Sequence, residues 1–380
     1  MLLLVAASGC GGETVKPLMG ARAITAGGSH ACALMTDGTA RCWGDNLFGE
    51  LGASVDAGAP NDSVTPVASS LPGIVQLSAG GQHTCALLAD ASLSCWGANF
   101  FGQLGTGVPS QWERPTAVVG VTAAMSVTAT GQSLNGREFT DQYSCALLAG
   151  GTVSCWGQDS NGEIGNGTMQ LWVAMPSPVS GVAGATGLGL GGERVYAVLG
   201  DATVASWGYD ILFGSETPVA IPGLTDVVSV AAGELHACAL HADGTVSCWG
   251  TNDWGQLGDG STTTPAMETP QTVAGLAGVT AISAGADHTC ALLSDGTVRC
   301  WGSNGSGQLG DGFKASIEPS PTSVSEIASA VAISAGEEFT CALLADSTVE
   351  CWGANDSGQL GNGAASTADV GTPVSVVAGS

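Results

Sequence analysis

Twelve of the thirteen cysteines stand in six pairs with one common interval of ten: Cys32/Cys42, Cys85/Cys95, Cys145/Cys155, Cys238/Cys248, Cys290/Cys300 and Cys341/Cys351. Thiols at such positions can ligate a metal or close disulfides, and spacing separates the two. Zinc sites gather Cys and His at shorter intervals such as C-x2-C, whereas these pairs sit in separate copies of one repeat. Pairing repeated at a fixed interval indicates disulfides formed in an oxidising compartment. Only Cys10 is left over. Four of the five histidines, His30, His83, His236 and His288, fall two residues before the first cysteine of a pair, where other copies have Tyr143, Arg194 and Phe339. Imidazole that is spread one per repeat and exchanged for phenol, guanidinium or phenyl serves no shared chemistry. Its expected role is a polar ring that fixes a turn.

Other reactive constellations are missing from the sequence. It has no Gly-x-Ser-x-Gly elbow, no G-x4-G-K-[ST] phosphate loop and no His-Glu-x-x-His. Loops rich in Asn and Asp, such as Asn252-Asp253 with Asp259, lack the spacing of a calcium loop and read as turns. The expectation is a protein that is not an enzyme, with no catalytic residue, cofactor or metal.

The elements that carry these residues are set by tryptophan. Trp43, Trp96, Trp156, Trp207, Trp249, Trp301 and Trp352 recur at intervals of 53, 60, 51, 42, 52 and 51 residues. A period near 50 signals a repeat architecture. Seven units fill the chain from about residue 21 to 380, which makes 21–380 one domain after a short segment, 1–20. Within each unit short β-branched and apolar runs are broken by Gly, Asp-Gly and Pro, so each is a small antiparallel sheet. In the stretch 290–310 the tip Ser294-Asp295-Gly296 closes a hairpin. Counting outward pairs Leu292 with Val298, Ala291 with Arg299 and Cys290 with Cys300. That last pair falls at a non-hydrogen-bonded position, where side chains approach most closely. In unit four Tyr196 and Ser206 replace both cysteines together, as expected of residues that act only as a pair. The repeated Trp reads as core.

Charge restricts the partners. The 33 acidic residues face two Lys and six Arg, a formal charge of −25, a field that repels nucleic acid and anionic lipid. A monomer is expected. The N-terminal MLLLVAASGC resembles the end of a bacterial lipoprotein signal peptide, with small residues before a lipidated Cys10. Ala7 stands where such signals have Leu, and no cation precedes the apolar run. The expectation is an exported lipoprotein facing the periplasm or the cell surface, held to the outer membrane only through Cys10.

The combination S-A-G-x-x-H-T-C-A-L-L-x-D-G-T-V-x-C-W-G-x-N-x-x-G-Q-L-G resembles the repeat of the regulator of chromosome condensation family, in six good copies and a degraded fourth. The resemblance implies an all-β seven-bladed β-propeller of four-stranded antiparallel blades, here with a disulfide inside the hairpins. Eukaryotic members act as guanine-nucleotide exchange factors for a small nuclear GTPase and bind chromatin; a secreted bacterial relative inhibits β-lactamases with aromatic loop residues. Export, disulfides and acidity argue against the first activity. The chain ends on 372–376, which reads as the start of a unit, and begins in the middle of one, so the termini are expected to complete a single blade together.

On a constant scaffold, function is sought where the copies differ. Phe48, Phe101 and Trp254 occupy a slot that is Asn161, Ser306 or Ser357 elsewhere; Phe100, Trp112 and Trp172 add aromatics nearby. Unit three has an insertion over 132–141 that includes Arg137 and Phe139. Unit four lacks the Gly-Gln-Leu-Gly turn and has Tyr209, Ile211, Leu212 and Phe213 there. These residues are the candidate contacts of a non-catalytic scaffold for an unidentified protein partner. The competing expectation, an enzyme acting on envelope polysaccharide, requires a deep pocket with convergent carboxylates of raised pKa.

Overall fold

In the computed structural model the hairpin at 290–300 has the expected register: Leu292 faces Val298, Ala291 faces Arg299 and Cys290 faces Cys300. The two cysteine Cα atoms are 4.1 Å apart, the close approach of a non-hydrogen-bonded pair. The same cross-strand bridge recurs in five other hairpins. Cys32 is bonded to Cys42, Cys85 to Cys95 and Cys145 to Cys155. Cys238 is bonded to Cys248 and Cys341 to Cys351, so all six expected pairs are disulfides, each within its own hairpin. In every case the two cysteines are direct cross-strand partners in the ladder. Six such bridges are the signature of an oxidising, extracellular or exported environment. At the tip of the hairpin at 290–300, Gly296 has φ +81°, and Asp295 Oδ1 accepts the Thr297 N–H and hydroxyl at 2.9 and 2.6 Å. Ala91, Ala202 and Ser347 occupy the same left-handed slot at φ 65°, 63° and 69°.

The structure describes residues 16–379 apart from 54–61, 135–137, 210–213, 263–266, 315–316 and 365–367. The described residues form 28 strands in seven four-stranded antiparallel sheets. The fold is therefore all-β, a seven-bladed propeller. Blade 1 consists of Ala21–Ala26, His30–Met35, Ala40–Gly44 and Ser63–Ala68, and the other blades follow over 74–117, 124–178, 185–220, 227–272, 279–323 and 330–375. The ends of the first strands of all seven blades line the central opening. The fourth strands lie outermost, and each contains proline, such as Pro66, Pro115, Pro218 or Pro373. Proline cannot donate to a further strand, so every outer edge is blunted against sheet addition.

The expected sharing of one blade by both termini is overturned. Blades 1 and 7 are each built from consecutive strands, and 370–375 is the fourth strand of blade 7 rather than the start of a unit. Closure repeats the contacts used at other junctions. Trp43 Nε1 donates to the Gln359 carbonyl at 2.9 Å and the Ala26 N–H to Ser334 Oγ at 2.9 Å. Beside the ring, the Leu18 N–H donates to the Val376 carbonyl at 2.8 Å. The sequence misleads here because the repeat motif starts inside a blade, so its phase does not mark blade boundaries.

Packing between blades explains the constant residues. Six of the seven repeat tryptophans, all but Trp249, are fully buried, and each inserts against the preceding blade, as Trp43 does among Leu343, Val349 and Leu360. Trp96, Trp156, Trp207, Trp301 and Trp352 donate to the carbonyl of Glu50, Gln103, Glu163, Gln256 and Gln308 in the preceding blade, at 2.7–2.9 Å. The Ser-Ala-Gly ends of the first strands also face the next blade. Ser78 Oγ accepts the Ala129 N–H and Ser283 Oγ the Ala335 N–H, both at 2.9 Å. A Cβ on Gly336 would lie 2.6 Å from the Gly27 carbonyl oxygen, so only glycine fits that approach.

The histidines join blades instead of fixing a turn. His30, His83, His236 and His288 place Nε2 2.8–2.9 Å from the hydroxyl of Thr84, Ser144, Thr289 and Thr340 of the next blade. Burial pushes His30 and His288 down to about 3, and His83 and His236 to about 4; these are neutral structural rings. Tyr143 in the same slot reaches the Gly191 carbonyl of blade 4 through its hydroxyl at 2.9 Å. Where unit four lacks its disulfide, Tyr196 faces Ser206 and meets Trp249 edge-on at 5.6 Å between centroids.

Candidate partner-binding face

Antiparallel blades put the turns between strands 1 and 2 and the loops between strands 3 and 4 on one face of the ring, the upper face. The loops are clamped by constant side chains. In blade 5, Asn252 Oδ1 accepts the Leu257 N–H at 3.1 Å and Gln256 Oε1 the Trp254 N–H at 2.9 Å. Gln256 Nε2 then donates to Asp287 Oδ1 of blade 6 at 3.3 Å. The clamp holds the backbone and leaves residue 254 free to vary. Trp254 is 42 % exposed.

The other candidates divide. Phe48 is buried and meets Phe100 of blade 2 edge-on, with centroids 5.2 Å apart, so it packs between loops and does not project as an anchor. Phe100, Phe101 and Trp112 are half-buried; Trp112 lies against the blade 1 loop, 3.9 Å from where a Gly49 Cβ would be. Trp172 is 43 % exposed and Tyr209 46 %. The insertion lengthens two strands of blade 3, Ala124–Leu134 and Glu138–Leu148, to 11 residues each, with Phe139 opposite Ser133. Cys10, Arg137, Ile211, Leu212 and Phe213 lie outside the described residues, as does the side chain of Phe139.

An acidic arc is absent from the candidates that the sequence suggests. Glu193, Glu234, Asp287, Glu337 and Glu338 come from the strand 1–2 turns of blades 4 to 7, and Glu337 lines the central opening. Burial, then the charges of Glu234, Glu338 and Asp253, push Asp287 up to about 6. Burial and Glu193 likewise raise Glu234. The signal is present in the sequence as acidic residues one or two positions before the His slot. It can be recognised only once those turns are known to meet around one opening.

Further raised carboxyls lie inside loops. Glu50 and Glu163 stand in the Gln slot, and Asp159 in the Asn slot, of the clamp. Asp159 Oδ1 accepts the Ile164 N–H at 3.1 Å, while Oδ2 is buried without a hydrogen-bond partner. Burial foremost, then Glu163 and Glu216, push it up to about 7, so it is a carboxylic acid in the role of an amide. Asp45, at about 6 through burial and hydrogen-bonded to Asp62, belongs to the blade 1 loop. These groups brace their own loops. The central opening encloses about 190 Å³ and is lined chiefly by Gly, Ala, Ser and Thr, which leaves no deep cleft there with paired carboxylates. Among the described residues no three His, Cys, Asp or Glu side chains converge as metal ligands.

Two models of the regulator of chromosome condensation (RCC1) repeat match the chain, one over residues 21–50, 74–103, 227–256, 279–308 and 330–359, the other over 243–292 and 295–343. These segments fall in blades 1, 2, 5, 6 and 7. The Ultraviolet-B receptor UVR8 of Arabidopsis thaliana is 28% identical over 368 residues, covering 92% of this chain and 81% of the receptor. The E3 ubiquitin-protein ligase HERC2 of Homo sapiens is 32% identical over 330 residues, 80% of this chain but 6% of the ligase. Among solved structures, Prp20p of Saccharomyces cerevisiae, described for its binding to Gsp1p and histones, superposes with a TM-score of 0.76 at 22% identity, over 96% of this chain and 86% of that one; this likeness concerns the fold alone. From the repeat matches across five blades and the clamp geometry they share, the chain belongs to the regulator of chromosome condensation (RCC1) repeat family.

Proposed function

We propose that the protein is an exported, non-catalytic scaffold that takes a protein partner on its upper face, with Trp254 as an aromatic anchor beside the acidic arc. The observation that carries this is the neighbourhood of Trp254. An indole 42 % exposed stands on a loop tied through Gln256 to Asp287, with Glu234, Glu338 and Asp253 around that carboxylate. Like charges gathered around an opening favour a cationic partner and speed its approach. A buried aromatic supplies most of the affinity in such interfaces. Prp20p, which shares the fold, is described by its binding to other proteins.

The test is affinity capture with the full chain from the medium and envelope of the cells that make it. A stoichiometric partner retained by the parent protein, lost with Trp254→Ala and weakened by Asp287→Asn, is the expected result. Equal retention by both variants would remove this face from the interface. We further propose lipid anchoring at Cys10, on its small-residue context and the oxidising environment that the disulfides require. Intact mass of the mature N-terminus tests it, and an unmodified Met1 in the native cell rules it out.

A further inference from the structure

The molecule carries −25 formal charge, yet residues 164–192 contain no Asp, Glu, Lys or Arg. This neutral run includes the outer strand of blade 3, Trp172–Pro178, and it exposes large apolar side chains: Met169 55 %, Leu171 77 %, Trp172 43 % and Met175 55 %. Val108 of blade 2, 69 % exposed, extends the surface. Its neighbour Gly107 donates its N–H to the Ala174 carbonyl at 2.9 Å, and a Cβ there would lie 3.6 Å from Met175 Cγ. The Gly107–Val108 segment of blade 2 thus adjoins Met175 across the junction of blades 2 and 3. Single exposed apolar residues need no account, but four within seven positions of one outer edge, with Val108 beside Met175, mark a surface that another molecule covers.

Strand addition is not the mode of contact, because Pro176 and Pro178 interrupt donation along this edge. Contact has to be made through side chains. The charge around the patch selects the occupant. Glu216 of blade 4 is exposed and lies against the blade 3 loop, its Cα 3.1 Å from where a Gly162 Cβ would be. On the blade 2 side Glu113 and Arg114 offset one another in sign. A second copy would bring another −25 toward the first, and nucleic acid or an anionic bilayer meets the same repulsion. An exposed apolar group on a chain of net charge −25, with Glu216 as the nearby unbalanced charge, fits a cationic protein segment with an apolar anchor.

From this we infer that the blade 2–3 junction is a second docking surface, for a protein segment whose aliphatic or aromatic anchor is flanked by Lys or Arg. Val108, Met169 and Leu171 belong to strand 3–4 loops of blades 2 and 3, on the same upper face as Trp254 of blade 5, and the surface does not depend on that indole. The probe is a labelled nonapeptide with a central Leu-Phe-Leu and three Lys on either side, titrated by fluorescence polarisation against the full chain. An all-Lys nonapeptide and a Glu-flanked counterpart serve as controls. Expected are at least tenfold weaker binding with the double variant Leu171→Asp, Met175→Asp, at least tenfold weaker binding of the all-Lys peptide, and no effect of Trp254→Ala. Both substituted side chains are on the surface, and an unchanged melting temperature confirms an intact fold.

Equal binding by the double variant overturns the inference, as non-specific capture of cations would give that result. Loss with Trp254→Ala but not with the double variant also overturns it, and places the cationic segment at the blade 5 loop. Binding of the Glu-flanked peptide as tight as that of its Lys counterpart overturns the charge selection. Light scattering covers the remaining occupant: a dimer that the double variant dissociates assigns the surface to a second copy and overturns the inference.

Discussion

His30 Nε2 lies 2.9 Å from Thr84 Oγ1 across the junction of blades 1 and 2, and the Thr84 hydroxyl in turn donates to the Glu50 carbonyl at 2.9 Å. A hydroxyl has one proton to give. With that proton on the carbonyl, the imidazole has to donate from Nε2, so each linking histidine is held neutral in one tautomer. Protonation of the ring would place a charge inside the propeller with nothing to balance it.

Acid sensitivity follows from this arrangement. The folded-state pKa values of about 3 for His288 and about 4 for His236 lie below the ordinary 6.5. The unfolded chain therefore takes up protons below pH 6.5 that the folded ring refuses, and this contribution to stability is lost as pH falls from 6.5 toward those values. Phe339 shows that phenyl is accommodated in the slot. His288→Phe is expected to reduce the drop in melting temperature between pH 7 and pH 4.5, measured by thermal denaturation followed by circular dichroism. A drop equal to that of the parent would contradict the assignment.

Asp159 has the opposite sign. Its folded pKa of about 7 stands above the ordinary 3.8, so the folded state holds a proton that the unfolded state has released. Stability from this group is full below about pH 4 and declines as pH rises to 7 and beyond. Asp159→Asn restores the amide found at Asn252 and Asn304. It is expected to raise the melting temperature at pH 8 and leave it nearly unchanged at pH 4.5. A gain of equal size at both pH values would point to packing instead of titration.

Each disulfide closes a loop of eleven residues, which the chain-entropy model values at roughly 2–3 kcal/mol. Replacing Cys290 and Cys300 together by Ala is expected to cost about that much in urea denaturation, with a small rise in the m-value as the unfolded chain loses a cross-link and exposes more surface. If either single variant costs substantially less than the pair, the two thiols do not act as one unit.

The hairpin tips offer a gain. Ala202 is at φ 63° where Gly296 is at φ 81°, and a Cβ in the left-handed region costs roughly 1–2 kcal/mol. Ala202→Gly is expected to stabilise the chain by about 1 kcal/mol, offset in part by the greater freedom of glycine in the unfolded chain. A loss of stability would show that the tip is unstrained.

Everything local and repeated is legible in the sequence. Hairpin register, the pairing of each cysteine with the one ten residues on, the clamp turns and the burial of Trp301 follow from alternation, Asp-Gly tips and fixed spacing, which act within about 20 residues and are restated from blade to blade. Blade phase is not legible, because a repeat can be cut at any point and keep its period. The roles of the constant His, Ser and Gly residues come from tertiary structure, since His288 and Ser283 find their partners about 50 residues away, in the next blade. Tertiary packing also removes Phe48 from the candidate anchors, by burying it against Phe100. And it gathers Glu193, Glu234, Asp287 and Glu338 around one opening: charges far apart in sequence become a shared field only when the ring closes.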